Sequence, residues 1–128
     1  PPQQINSPST YQYYQGGLMT WWSHDGTIMV FANSGQVLRY PVSQYGALAE
    51  NTWVYPPSGF VRPIMGFGKV WANHAYVNRI LGWATTFERS YTAQITLDDA
   101  IGNDIAFYVS APNGQVITVT EAGTWYYA

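Results

Sequence analysis

Short apolar runs separated by turn-forming residues dominate this chain, and their period is that of strands. Residues 18–22, LMTWW, and 27–31, TIMVF, flank SHDG, whose Asp-Gly pair suits a hairpin turn. ANSGQ then leads into a third run at 37–40. Farther on, Tyr91, Ala93, Ile95 and Leu97 alternate with polar residues, the period-two pattern of a half-buried strand. Runs at 105–109 and 116–119 flank APNGQ, whose Asn-Gly is a strong hairpin signal, and a last short strand is expected over 124–127.

Set side by side, IMVFANSGQVLRY (28–40) and IAFYVSAPNGQVITV (105–119) look like one hairpin written twice. The pair suggests two β halves around a central insert, with chance turn chemistry as the alternative. The insert opens on YPPSGFVRP, a stiff proline-rich connection. In GFGKVWANHAYVNRILGWA, Gly68 is placed to open a turn of helix through Ala72 and Asn73 to cap a second helix, which Gly82 stops. Val77, Ile80 and Leu81 then share one face at spacings of three and four. Gly66, Gly68, Trp71, Leu81, Gly82 and Trp83 are therefore read as a structural joint. The expected fold is mainly β, a single small domain of two antiparallel hairpin-based halves joined by one or two short helices. The domain is placed at 13–128, with a first β half at 13–54, the connection and joint at 55–90, and a second β half at 91–128.

Residues 1–12 stand apart. PPQQINSPST has little to bury, and it reads as an extended, proline-rich arm. A start at Pro1 without a Met fits a processed mature end or a trimmed chain. Ordering ten residues costs about 10–20 kcal/mol, so such an arm must be pinned on its own domain or on another copy. Strand addition between copies is the form that suits it, with Pro1, Pro2, Ile5, Tyr11, Tyr13 and Tyr14 as the expected assembly interface.

Composition narrows the partners. Charged residues are 9% of the 128 positions, against roughly 25% in ordinary domains. A net charge of −2 with only five Lys and Arg offers no footprint for nucleic acid. No apolar run approaches the roughly 18 residues of a membrane span. Sparse charge, abundant Tyr, Trp, Thr and Asn, and the absence of cysteine together point to an extracellular or cell-surface setting.

Candidate chemistry is sparse. In GFGKVW, Val70 stands where a phosphate loop needs Ser or Thr, and Trp71 where a dinucleotide fingerprint needs its third glycine. His74 has no recognisable catalytic partner, and no serine sits in a GxSxG elbow. Asp98, Asp99, Asn103 and Asp104 read as turn formers rather than calcium ligands. Glu50, Glu88 and Glu121 are too dispersed to argue for a hydrolytic pair. No enzyme activity, cofactor or metal is expected. The aromatics divide: Trp21, Trp53, Trp71, Trp83 and Trp125 are assigned to the core, whereas Trp22, Tyr55 and Tyr126 are candidates for stacking on a sugar.

YQYYQGGLMTWWSHDGTIMVF followed by GFGKVW and RILGWATTFE resembles a small module found, often in tandem, in exported bacterial cell-surface proteins. Gly16, Gly17, Met19 and Trp21 begin its hairpin, and the motif from Gly66 to Ala84 with Glu88 links it to the next. The module is distantly similar to LGFP-type cell-wall repeats, and the resemblance implies a non-catalytic role. The leading expectation is an extracellular structural subunit that assembles with copies of itself into a filament or layer through the arm and its aromatic surface. The alternative is a module that binds cell-wall or other glycans through exposed Trp and Tyr.

Overall fold

The computed structural model describes residues 3–50, 54–97 and 104–128, and the fold is mainly β. Its strands are β1 (Gln3–Tyr14), β2 (Gly17–Trp22), β3 (Ile28–Ala32), β4 (Val37–Tyr40), β5 (Arg89–Leu97), β6 (Ile105–Ser110), β7 (Val116–Thr120) and β8 (Trp125–Tyr127). Two helices, α1 (Met65–Asn73) and α2 (Ala75–Leu81), lie between β4 and β5. All the strands pair antiparallel in one sheet, in the order β4-β3-β2-β1-β5-β6-β7-β8. The sheet curls until its edges meet at Gln36 and Thr124. There the Val37 N–H donates to the Gly123 carbonyl and the Trp125 N–H to the Gly35 carbonyl, each at 2.9 Å. The Trp125 indole N–H reinforces the seam by donating to the Ala32 carbonyl at 2.7 Å.

Two cores follow from two kinds of strand. β2 and β3 are apolar on both faces, and nearly every residue in them is buried. Leu18, Trp22, Met29 and Phe31 point into the barrel, where they meet Ile95, Phe107, Val109, Ile117 and Val119. Met19, Ile28 and Val30 point outward, beneath Phe67, Val70 and Trp71 of α1 and Val77 and Leu81 of α2. In β5, buried Ala93 and Ile95 alternate with exposed Thr92 and Gln94, so that strand needs cover on one face only.

The expected arm is the central strand. Residues 3–11 pair with β5 and residues 9–14 with β2, so the segment joins the two halves instead of reaching away from them. Apolar content was a poor guide, because the backbone ladder holds this strand and its inward residues include the buried hydroxyls of Ser7 and Ser9. Pro8 fits because its carbonyl accepts from the Ser23 N–H on the β2 side. Its missing N–H points to that same side, beyond the end of β2 at Trp22, so the ladder to β5 loses no donor. Ile5, Tyr11 and Tyr13 pack on the barrel core and Tyr14 is buried, which commits these four expected interface residues to the domain's own interior. Pro1 and Pro2 lie outside the described residues.

The joint also differs in its boundaries. The first helix begins at Met65, before Gly68, and runs through Asn73. Asn73 caps nothing; its amide donates to the carbonyls of Ala49 and Lys69 at 2.7 and 2.8 Å. His74 occupies the boundary between the helices, and Gly82, at φ 67°, ends α2 in a conformation that glycine adopts freely.

Candidate functional site

An open groove of about 460 Å³ lies between the outer face of β2–β3 and the first turn of α1. Trp21, Ile28, Tyr45 and Phe67 line it, with exposed Val42 and Met65 and the charged Lys69 and Glu88. Trp21 alternates with Met19 on the outer face of β2, but the helical cover leaves it half-buried. Tyr45 follows a 3-10 turn at Val42–Gln44, and its hydroxyl donates to the Gly26 carbonyl, which fixes the ring. The Lys69 ammonium donates to the Gly46 carbonyl at 2.9 Å. Gly66 lets α1 come this close, since a Cβ there would stand 3.2 Å from Ile28 Cδ1 and 3.3 Å from Tyr45 Cε1. Met65 has φ 54°, a left-handed conformation that costs a non-glycine residue about 1–3 kcal/mol.

Glu88 is the half-buried acid of the groove. Burial, and then the nearby Glu50 carboxylate, raise its pKa above the ordinary value. Behind it lies a polar chain: the Tyr14 hydroxyl donates to Gln12 Oε1 at 2.8 Å, and the Gln12 amide donates to the Thr86 carbonyl at 2.8 Å. Burial, and then the Glu88 charge, push the Tyr14 phenol well above its usual range.

Of the joint residues, Gly66 faces the groove, Gly68 packs against the chain that leads into α1, and the other four stand where the helices meet the sheet and the chain after them. A Cβ on Gly68 would lie 2.8 Å from the Pro63 carbonyl oxygen. The Trp71 indole N–H donates to the Gly82 carbonyl at 2.7 Å, and its ring lies 4.9 Å from that of Trp83. Gly16 N–H donates to the Leu81 carbonyl at 2.8 Å, and Trp83 N–H to Gln15 Oε1 at 2.9 Å. This docks the end of α2 on the β1–β2 turn.

The sugar-stacking candidates are not brought together. Trp22 is 3% exposed inside the barrel, edge-on to Phe107 at 5.7 Å, and is corrected to a core residue. Trp21, assigned to the core, is partly buried against the outer core and also lines the groove. Because both faces of β2 are apolar, alternation alone does not say which tryptophan points where. Tyr126 is half-exposed on β8, and Tyr55 is exposed in the connection before α1. Trp71 is buried, Trp83 and Trp125 are half-buried against the two cores, and Trp53 lies outside the described residues.

The two histidines have structural surroundings. The His24 ring stacks on Trp22 and lies 3.1 Å from Ser7 Oγ, while His74 Nδ1 lies 3.0 Å from the Val70 carbonyl oxygen. Asp25 accepts from the Thr27 N–H at 2.9 Å, as a turn residue does. Asp98, Asp99 and Asn103 lie outside the described residues. Among the described residues, no three His, Asp or Glu side chains gather into a metal-binding group, and no helix is long and apolar enough to cross a membrane. In comparisons with protein-family models, curated proteins and solved structures, the chain matches none.

Proposed function

We propose that the protein is a non-enzymatic glycan-binding module of the cell surface, and that its groove holds a sugar ring against Trp21. The observation that carries the reading is a partly buried indole in the wall of an open, largely apolar groove whose lining also holds the Glu88 carboxyl and the Lys69 ammonium. A sugar has C–H faces that pack on an aromatic ring and hydroxyls that need polar partners at its edges. Sparse charge supports the extracellular setting. The self-assembly reading gave residues 1–12 to strand addition between copies, whereas residues 3–14 pair with β5 and β2 of their own chain.

Titration with neutral oligosaccharides, followed by tryptophan fluorescence and calorimetry, tests the proposal. Trp21→Ala is expected to weaken binding about tenfold or more while the fold persists. A native protein that binds none of the sugars, or a Trp21→Ala variant that binds as well as the native chain, overturns it.

A further inference from the structure

The half of the sheet away from the helices has an outer face of its own. One row of side chains crosses five strands in register: Gln4 opposite Thr96, Thr96 opposite Tyr108, Tyr108 opposite Thr118, and Thr118 opposite Tyr126. These residues alternate with Ile5, Ile95, Val109, Ile117 and Trp125 of the barrel core, so the row points outward. It carries only amides, hydroxyls and phenols, and the next outward residue on β5, exposed Gln94, extends the amides along the strand. Two strand spacings separate Tyr108 from Tyr126, about 9–10 Å, a length on the order of a disaccharide. Between them, Thr118 is 1% exposed although α1 and α2 pack on the other half, so its sheet neighbours cover it. Its hydroxyl has no hydrogen-bond partner.

We infer that this face is a platform for an extended, uncharged polysaccharide chain, a second surface distinct from the groove. The class of ligand rests on the glycan reading above; the place does not. Chemistry selects the occupant. An anionic polymer would find no cation in the row, and a nonpolar partner would strip water from amides and hydroxyls without replacing their hydrogen bonds. A second copy laid face to face would bring one set of fixed amides and hydroxyls against another and leave many unpaired. A neutral polysaccharide offers rotatable hydroxyls to Gln4, Gln94 and Thr96, and C–H faces to the two tyrosines, spaced as alternate sugars are.

Co-sedimentation with cellulose and with chitin, beside solution titration of their soluble disaccharides, separates the two surfaces. Tyr126→Ala removes a half-exposed ring, and Gln94→Lys places a charge beside the row; circular dichroism verifies the fold of each. Both are expected to lower retention on at least one of the polymers about tenfold and to leave disaccharide binding unchanged. Trp21→Ala is expected to do the reverse. Retention indifferent to both platform variants overturns the inference while leaving the groove reading intact. Loss on the platform variants with Trp21→Ala silent overturns the groove reading alone. If neither polymer is retained, or if Tyr126→Ala instead abolishes a dimer seen by analytical ultracentrifugation, the platform assignment is wrong.

Discussion

The two halves of this barrel solve one problem in different ways. β2 and β3 are apolar on both sides, and a helical layer buries the outer side. β5 to β8 share the same interior yet leave their outer row to amides, hydroxyls and phenols. Outward positions of β2 and β3 are thus apolar and roofed, whereas the row from Gln4 to Tyr126 is polar with no helix over it, and the two proposed ligand surfaces differ accordingly. The roofed half has a concave groove at the roof's edge, with the acid Glu88 in it. The bare half has an open outer face crossed by a neutral row.

β1 is the strand that both halves share, so the largest expected effect comes from removing it. Deletion of residues 1–10 takes away eight of the nine positions that pair with β5, from Gln3 to Thr10. The truncated chain is expected to lose its cooperative thermal transition and its strand signal in circular dichroism. A truncated protein that melts cooperatively near the native temperature would show that the halves hold together without their shared strand.

A smaller effect distinguishes roofed from bare within the intact fold. A Cβ on Gly16 would stand 1.9 Å from the Ile80 carbonyl oxygen, where α2 docks on the β1–β2 turn. Gly16→Ala is expected to cost about 3 kcal/mol, since backbone must move. Gly114, in the β6–β7 turn, has φ 85°, and a methyl group added there would meet nothing within 4 Å. Gly114→Ala meets only left-handed strain, about 1–2 kcal/mol. Urea denaturation of both variants measures the difference. Equal losses would mean that the docking contact has slack to absorb a methyl group.

These elements were legible in the sequence to different degrees. The hairpins at 18–31 and 105–119 could be read from their turns, because Asp-Gly and Asn-Gly report on local backbone geometry. Gly82 announced the end of α2 for the same reason. β1 could not be read this way: half of its hold is a ladder to β5, far along the chain, and Ser7 and Ser9 look like surface residues until that ladder exists. The choice between Trp21 and Trp22 depended on where the roof stops, which is set by the approach of α1 over Gly66. The neutral row from Gln4 to Tyr126 is a matter of register across five strands, beyond anything local patterning records.

Alkaline pH tests the interior that the halves share. Burial raises the phenols of Tyr14, beneath the roof, and Tyr91, on the barrel core, above the ordinary value of 10.0. Above that value the unfolded chain loses phenolic protons while the folded chain keeps them. Stability is therefore full below pH 10 and falls as pH rises beyond it. Tyr91→Phe is expected to flatten part of that fall in a series of thermal melts. An unchanged slope would mean that Tyr91 ionises as readily in the folded protein as in the unfolded chain.

The mildest expected effect concerns Glu88. Its folded pKa lies above the ordinary 4.5, through burial first and Glu50 second. Between the unfolded and folded values the native state holds the extra proton, so stability declines as pH rises through that window and then levels off. Glu88→Gln keeps the shape and discards the charge. The variant is expected to match the native protein below the window and to equal or slightly exceed it in stability at neutral pH. A loss of stability at neutral pH would mean that the folded protein favours the carboxylate, which contradicts the direction of the shift. The same substitution separates stability from function: if Glu88 accepts sugar hydroxyls, the more stable variant binds oligosaccharide more weakly. The ionised acid is then held at the edge of the roof at a cost in stability, because the groove uses it.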